Sequence, residues 1–177
     1  MEDLRYPVGK FEPPKTPLNA SERDGFIKQI EDTPARLREA VAGLSAEQLD
    51  TQYRDGGWTV RQVAHHIPDS HMNAFIRFRL ALTENEPTIK PYDEAAWAKL
   101  VDSQTAAVDL SLALLEPLHK RWTMMLRALG DEQWARTFMH PEAKAVMNLD
   151  RTLALYAWHG RHHVGHITSL RKRMGWK

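Results

Sequence analysis

The chain contains no cysteine. That excludes a disulfide scaffold, thiolate-ligated zinc, an iron–sulfur cluster and a cysteine nucleophile, so any bound metal must take nitrogen or oxygen ligands. A charge excess is missing as well: 24 Lys and Arg stand against 23 Asp and Glu, a formal net charge of +1. Proteins that grip nucleic acid by its phosphates carry a basic surplus, so no nucleic-acid partner is expected. Nothing in the chain approaches the ~18 uninterrupted apolar residues of a membrane span. The N-terminal stretch, with Glu2, Asp3 and Arg5, has no apolar run of the signal-peptide kind. A cytoplasmic protein with no membrane partner is the expectation, and 177 residues suit one domain with its own core.

What the sequence does have is helical periodicity and nine histidines. Residues 1–20 hold Pro7, Pro13, Pro14 and Pro17 without any period, which predicts an extended arm lying along a folded unit of residues 21–177. From Asn19 or Ser21 onward, Phe26, Ile27, Ile30, Leu37, Val41 and Leu44 recur at helical spacing. Pro34 lies inside this run and predicts a kink or a split. Ser45 with Gln48, and Thr59 with Gln62, have the spacing of capping boxes, with a turn at Tyr53–Gly57 between them. The second long helix is predicted from Thr59 to about Thr83, bent by Pro68 beside His65, His66 and His71.

After a Pro-flanked loop and a short amphipathic piece at Asp93–Val101, a third helix is predicted from about Asp109 to Leu129, with Gly130 at its C′ position. Thr137–Asn148 reads as an irregular connector with room for a brief hairpin. The fourth helix is predicted to start with Asp150 as N-cap and to run to about Arg173, with Gly175 as its C-terminal cap. Four long amphipathic segments without strand alternation predict an all-α fold, a four-helix bundle. The intervening loops are longer than an up-down bundle needs, so at least one crossover connection is expected.

Four of the nine histidines fall within eight residues: His159, His162, His163 and His166. Both i, i+4 pairs, His159/His163 and His162/His166, have the spacing of a chelate on one helix face. At about 100° per residue, His163 shares a stripe with Leu149, Thr152, Tyr156, His159, Gly160, Ile167 and Leu170. That stripe must face the core. His162 falls roughly 100° away, towards the rim. The inward pair needs partners, either a metal or side chains of neighbouring helices, because a buried polar group without one costs about 1–3 kcal/mol. On the second helix His66 lies roughly 100° from the apolar stripe of Val60, Val63, Ile67, Ala74 and Phe78, beside Gln62, Asp69, Ser70, Asn73 and Arg77. That face is either solvated or the wall of a polar pocket, and periodicity does not choose between the two.

Taken together, several ordered blocks resemble the DinB-like metalloprotein superfamily and, within it, the YfiT group, whose members are named metal-dependent hydrolases and include bacillithiol S-transferases. They are YPVGKF…PP at Tyr6–Pro14, YRDGGWTVRQVAHH at Tyr53–His66, DSHMN at Asp69–Asn73, IRFRLALTE at Ile76–Glu84, KPYDEAAW at Lys90–Trp97, LLEPLHKRW at Leu114–Trp122, HPE at His140–Glu142, and YAWHGRHHVGHI at Tyr156–Ile167. The resemblance spans nearly the whole chain. It implies a four-helix bundle with one divalent ion per chain on His66, His159 and His163, and a homodimer. Pro68 departs from the group's usual small helix former after the HH pair.

Three neutral imidazoles leave a coordination position open, as catalytic metals require, and Zn2+ and Ni2+ both suit imidazole. The open position serves a bound water for hydrolysis or a bound thiol for attack on an electrophile. In the thiol reading the reactive sulfur comes from a small-molecule cosubstrate, which is compatible with a chain that has no cysteine. Hydrolysis asks for a positioned base, and the place beside His159 is taken by Gly160. Asp69 is either that base or a solvated carboxylate. Thiol transfer is therefore the first expectation and hydrolysis the second, with a non-catalytic metal-binding stress-response module as a third. Gln62, Asp69, Asn73 and Arg77 are the candidate substrate contacts, His162 is expected at the rim, His119 and His140 have no derivable role, and the tryptophans are expected to be packing residues.

Overall fold

The computed structural model describes residues 3–177, and residues 3–19 contain no helix. Four long helices follow: α1 (Ala20–Val41), α3 (Val60–Thr83), α6 (Val108–Arg127) and α8 (Leu149–Met174). Short helices α2 (Ala46–Leu49), α4 (Glu94–Trp97), α5 (Val101–Thr105) and α7 (Asp131–Trp134) fill the connections. A two-stranded antiparallel hairpin, β1 (Thr137–His140) with β2 (Ala145–Asn148), precedes α8 and pairs Thr137 with Asn148 and His140 with Ala145. No helix among the described residues is long and apolar enough to cross a membrane.

The helix starts follow from their side chains. Asn19, Ser45 and Thr59 each accept an N–H from the residue three places on, and Glu22, Gln48 and Gln62 return the bond to the cap. Two expected ends differ. Helix α8 is capped by Asn148, whose side chain accepts the Arg151 N–H, and not by Asp150. Asp150 points inward, only 2% exposed, and is held by Arg23 and the Leu18 N–H. Gly130 does not cap α6. Ala128 ends that helix, and Gly130 is the N-cap of α7. Gly175 does close α8, at φ +67°, a left-handed value that glycine adopts without strain.

Pro34, Pro68 and Pro117 lie inside continuous helices, so neither α1 nor α3 is split. Each proline removes one N–H and leaves the carbonyl four residues earlier without its helical donor.

Helix α8 packs between α1 and α3, α6 closes the other side against the same two helices, and α1 meets α3 only lightly. Around the bundle the order is α1, α8, α3, α6, so the chain passes between diagonal positions from α1 to α3 and again from α6 to α8. These are the crossover connections that the long loops predict. The apolar core is in two parts. One, around Phe78, Trp122, Trp134 and Phe138, takes the early half of α1 and α8; the other, around Leu37, Val60, Leu115 and Ile167, takes their later half. Between them, and in neither, lie His66, His71, His119, His159 and His163.

The N-terminal segment lies on α8. The His166 imidazole bonds the Arg5 carbonyl (3.1 Å), and Trp158 Nε1–H donates to the Gly9 carbonyl (3.1 Å). Pro7 and Val8 rest where a Cβ on Gly165 would come within 3.1 Å of Pro7 Cγ and 3.0 Å of Val8 Cγ1.

Candidate metal centre

The polar layer is built by three of the long helices. Helix α3 supplies two adjacent histidines that point in different directions. His65 turns away to Ser111 Oγ (Nδ1, 2.7 Å) and the Ala106 carbonyl (Nε2, 3.2 Å). His66 turns in, and its Nε2 lies 3.3 Å from His159 Nε2. One turn later on α3, Ser70 Oγ is 3.3 Å from the same His159 nitrogen. Helix α8 supplies His159 and, four residues on, His163, their ring centroids 4.4 Å apart. One nitrogen from each of His66, His159 and His163 falls within 4.8 Å of the others, with no carboxylate in the group. Trp58 covers the set, 4.7 Å from the His66 ring and stacked beside His163 at 6.3 Å.

Burial holds these imidazoles neutral. It lowers the His66 pKa to about 4 and pushes those of His159 and His163 well below the ordinary histidine value. Neutral nitrogens offer lone pairs, the form in which histidine binds a metal. His163 Nδ1 is buried with no hydrogen-bond partner. An unpaired buried nitrogen beside converging imidazoles fits a site that takes a cation, and an all-nitrogen donor set suits Zn2+ or Ni2+.

The cluster opens into a cavity of about 280 Å³ lined by His66, His159, His162, His163, Ser70, Trp58, Trp158, Tyr92, Tyr156, Arg77, Glu94, His140 and Glu142. Arg77 donates from Nη1 to Tyr156 Oη at 3.0 Å. Burial raises the pKa of both Tyr156 and Tyr92, so their hydroxyls stay protonated.

Of the four expected substrate contacts, Arg77 is in the cavity wall and the other three are not. Gln62 is occupied as a capping residue, and its amide donates to the Ala98 carbonyl at 2.7 Å. Asn73 bonds back to the Asp69 carbonyl in its own helix. Asp69 is half-buried, which raises its pKa to about 6, but it is not in the wall.

His162 is buried rather than at the rim, because Trp158 stacks on it at 4.3 Å and Tyr6 of the N-terminal segment lies 6.0 Å away. A helical wheel contains no such segment and cannot show the burial. Trp58 and Trp158 line the cavity, while Trp122 and Trp134 are core. Glu94, the first residue of α4, and Glu142, in the turn between β1 and β2, carry no motif or spacing that points to a site.

Further inside, His71 Nε2 lies 3.1 Å from His159 Nδ1, His71 Nδ1 lies 2.8 Å from His119 Nε2, and His119 Nδ1 lies 2.6 Å from the Ile30 carbonyl. Neither histidine reaches the cavity, and burial pushes the pKa of both down.

The DinB superfamily model matches residues 29–167. A Bacillus subtilis protein named "Putative metal-dependent hydrolase YfiT" is 52% identical over 174 residues, covering 98% of this chain and 97% of that protein. A Bacillus cereus protein named "Putative metal-dependent hydrolase" is 56% identical over 176 residues, covering 99% and 100%. The solved structure of Bacillus subtilis YfiT, described as "a probable metal-dependent hydrolase with an unusual four-helix bundle topology", matches with a TM-score of 0.96 at 52% identity over 98% of this chain and 99% of that one.

Proposed function

Because the chain belongs to the DinB superfamily, we propose that it is a metal-dependent enzyme in which His66, His159 and His163 hold one divalent ion, Zn2+ or Ni2+, and that it transfers a small thiol of the bacillithiol type to an electrophile. The observation that carries this reading is a set of neutral imidazoles, with no carboxylate among them, facing a cavity whose wall holds charges of both signs. A bound ion there supplies a Lewis acid that lowers the pKa of a thiol or water at its open position.

The chain's own residues supply the rest. Arg77, anchored on Tyr156, presents a guanidinium that matches a carboxylate, and Glu94 and Glu142 in the same wall match an ammonium. A thiol that carries both groups suits such a wall. Trp58, against His66, and Trp158, stacked on His162, add apolar surface to the cavity wall beside the imidazoles. In the transfer the thiol loses its proton to solvent, sulfur forms a bond to carbon, and a halide or an epoxide oxygen leaves with the electron pair.

The second reading is hydrolysis. It is favoured by the names of the relatives and by Glu94 and Glu142, either of which can take a proton from water. Elemental analysis of the wild type and of His66→Ala, His159→Ala and His163→Ala tests the site. Each variant is expected to lose metal, and full retention in all three overturns the assignment. Incubation of the metal-loaded protein with bacillithiol and a chlorinated or epoxide electrophile is expected to give the conjugate by mass spectrometry. Ester or amide cleavage without conjugation moves the function to hydrolysis. A homodimer is part of the proposal, and sedimentation equilibrium tests it.

A further inference from the structure

A backbone carbonyl has only lone pairs, so the 2.6 Å contact between His119 Nδ1 and the Ile30 carbonyl requires the proton on His119 Nδ1. A neutral imidazole carries one N–H, so His119 Nε2 is an acceptor. The nitrogen 2.8 Å from it, His71 Nδ1, must then hold its proton, which makes His71 Nε2 an acceptor in turn. His159 Nδ1, 3.1 Å from that acceptor, donates to it, and the lone pair of His159 is left on Nε2, the nitrogen facing His66 and Ser70. With one N–H on each ring and one partner at each nitrogen of the series, the carbonyl at its end leaves each step one solution.

The anchor of the series has its own cause. In an unbroken helix the Ile30 carbonyl accepts the N–H of residue 34, but residue 34 is proline and has none. The missing donor leaves the carbonyl to His119.

We propose that Pro34, His119 and His71 form a positioning series that fixes the tautomer and ring orientation of His159, so that Nε2 is presented to the metal. The proline inside α1 is thus part of the site without touching it. The proposal rests on His159 being a ligand, and its first test does not depend on any metal being bound.

Long-range proton–nitrogen NMR of the metal-free protein is expected to show the Nδ1–H tautomer at His71, His119 and His159. An Nε2–H tautomer at His71 or His119 overturns the series. If the tautomers are as expected and the wild type takes up no metal, the series stands and the metal reading fails. The second test measures Zn2+ affinity by competition with a chromophoric chelator. His119→Leu removes the acceptor of His71 and is expected to weaken binding about 10- to 100-fold, whereas His119→Gln, which can donate to Ile30 and accept from His71, is expected to restore most of it. Unchanged affinity in His119→Leu overturns the proposal. Pro34→Ala returns a competing N–H to the Ile30 carbonyl and is expected to weaken Zn2+ binding with no fall in Tm. Unchanged affinity there overturns the role of the proline.

Discussion

Gly160 stands beside His159, where a metalloprotease helix of the H-E-x-x-H type would carry its base. The reason lies in the packing of α8 on α1: a Cβ at 160 would come within 2.6 Å of Thr33 Oγ1 and 3.0 Å of Thr33 Cγ2. Thr33 is short, branched and tied to the Gln29 carbonyl at 2.9 Å, so it has little room to give way. Gly160→Ala is therefore expected to cost about 1–3 kcal/mol, read as a lower urea midpoint. A midpoint equal to wild type would show that the two helices part easily there. At this scale the site was half legible. The spacing of His159 and His163 placed them inward on α8, and the structure brings both to the cluster. The wheel left His66 undecided, because only part of the polar face of α3, at His66, Ser70 and Arg77, is turned towards the cavity, and only the resemblance chose the pocket. His71 and His119 had no local signal at all, since they belong to different helices and their meaning lies in one contact of 2.8 Å.

Among the elements, helix starts were read well wherever a side chain and its reciprocal partner sit three residues apart, as at Thr59 and Gln62. The start of α8 differs from the one its spacing predicts for a physical reason. Asn148 and Asp150 are both good N-caps, and the competition is settled by Arg23 of the neighbouring α1, which binds Asp150 at 2.8 Å and Asp131 at 2.5 Å. With the Leu18 N–H also on its carboxylate, Asp150 ties the entry of α1 to the entry of α8. Removing Asp150 leaves the buried Arg23 guanidinium with only the exposed Asp131 as counter-charge and the Leu18 N–H without its acceptor. Asp150→Ala is expected to lose about 3–5 kcal/mol, whereas Asp131→Ala, whose carboxylate is 92% exposed, is expected to lose about 1 kcal/mol or less. Chemical denaturation of the two variants checks the contrast, and equal losses would contradict it.

For the molecule as a whole, the buried histidines set how stability responds to acid. His66 and His119 are held neutral by burial, with pKa values of about 4, while the unfolded chain protonates histidine near 6.5. Below that value the unfolded state binds more protons, so stability is level above about pH 6.5 and falls as pH drops towards about 4, by up to about 3 kcal/mol for each such group. Urea midpoints of the metal-free protein between pH 7.5 and 4.5 are expected to follow that course, and a midpoint flat from pH 7 to 5 would contradict it.

The same layer has a mechanical consequence. Two apolar clusters on either side of it could each tolerate a helix sliding along its neighbour, since contact between leucines has no direction. Hydrogen-bonded imidazoles do have direction. A slip of one turn, about 5.4 Å, would carry His71 and His119 into the apolar clusters with their nitrogens unpaired. The histidines therefore act as the notches of a key, fixing the lengthwise alignment of α1, α3, α6 and α8 that the greasy surfaces alone leave free.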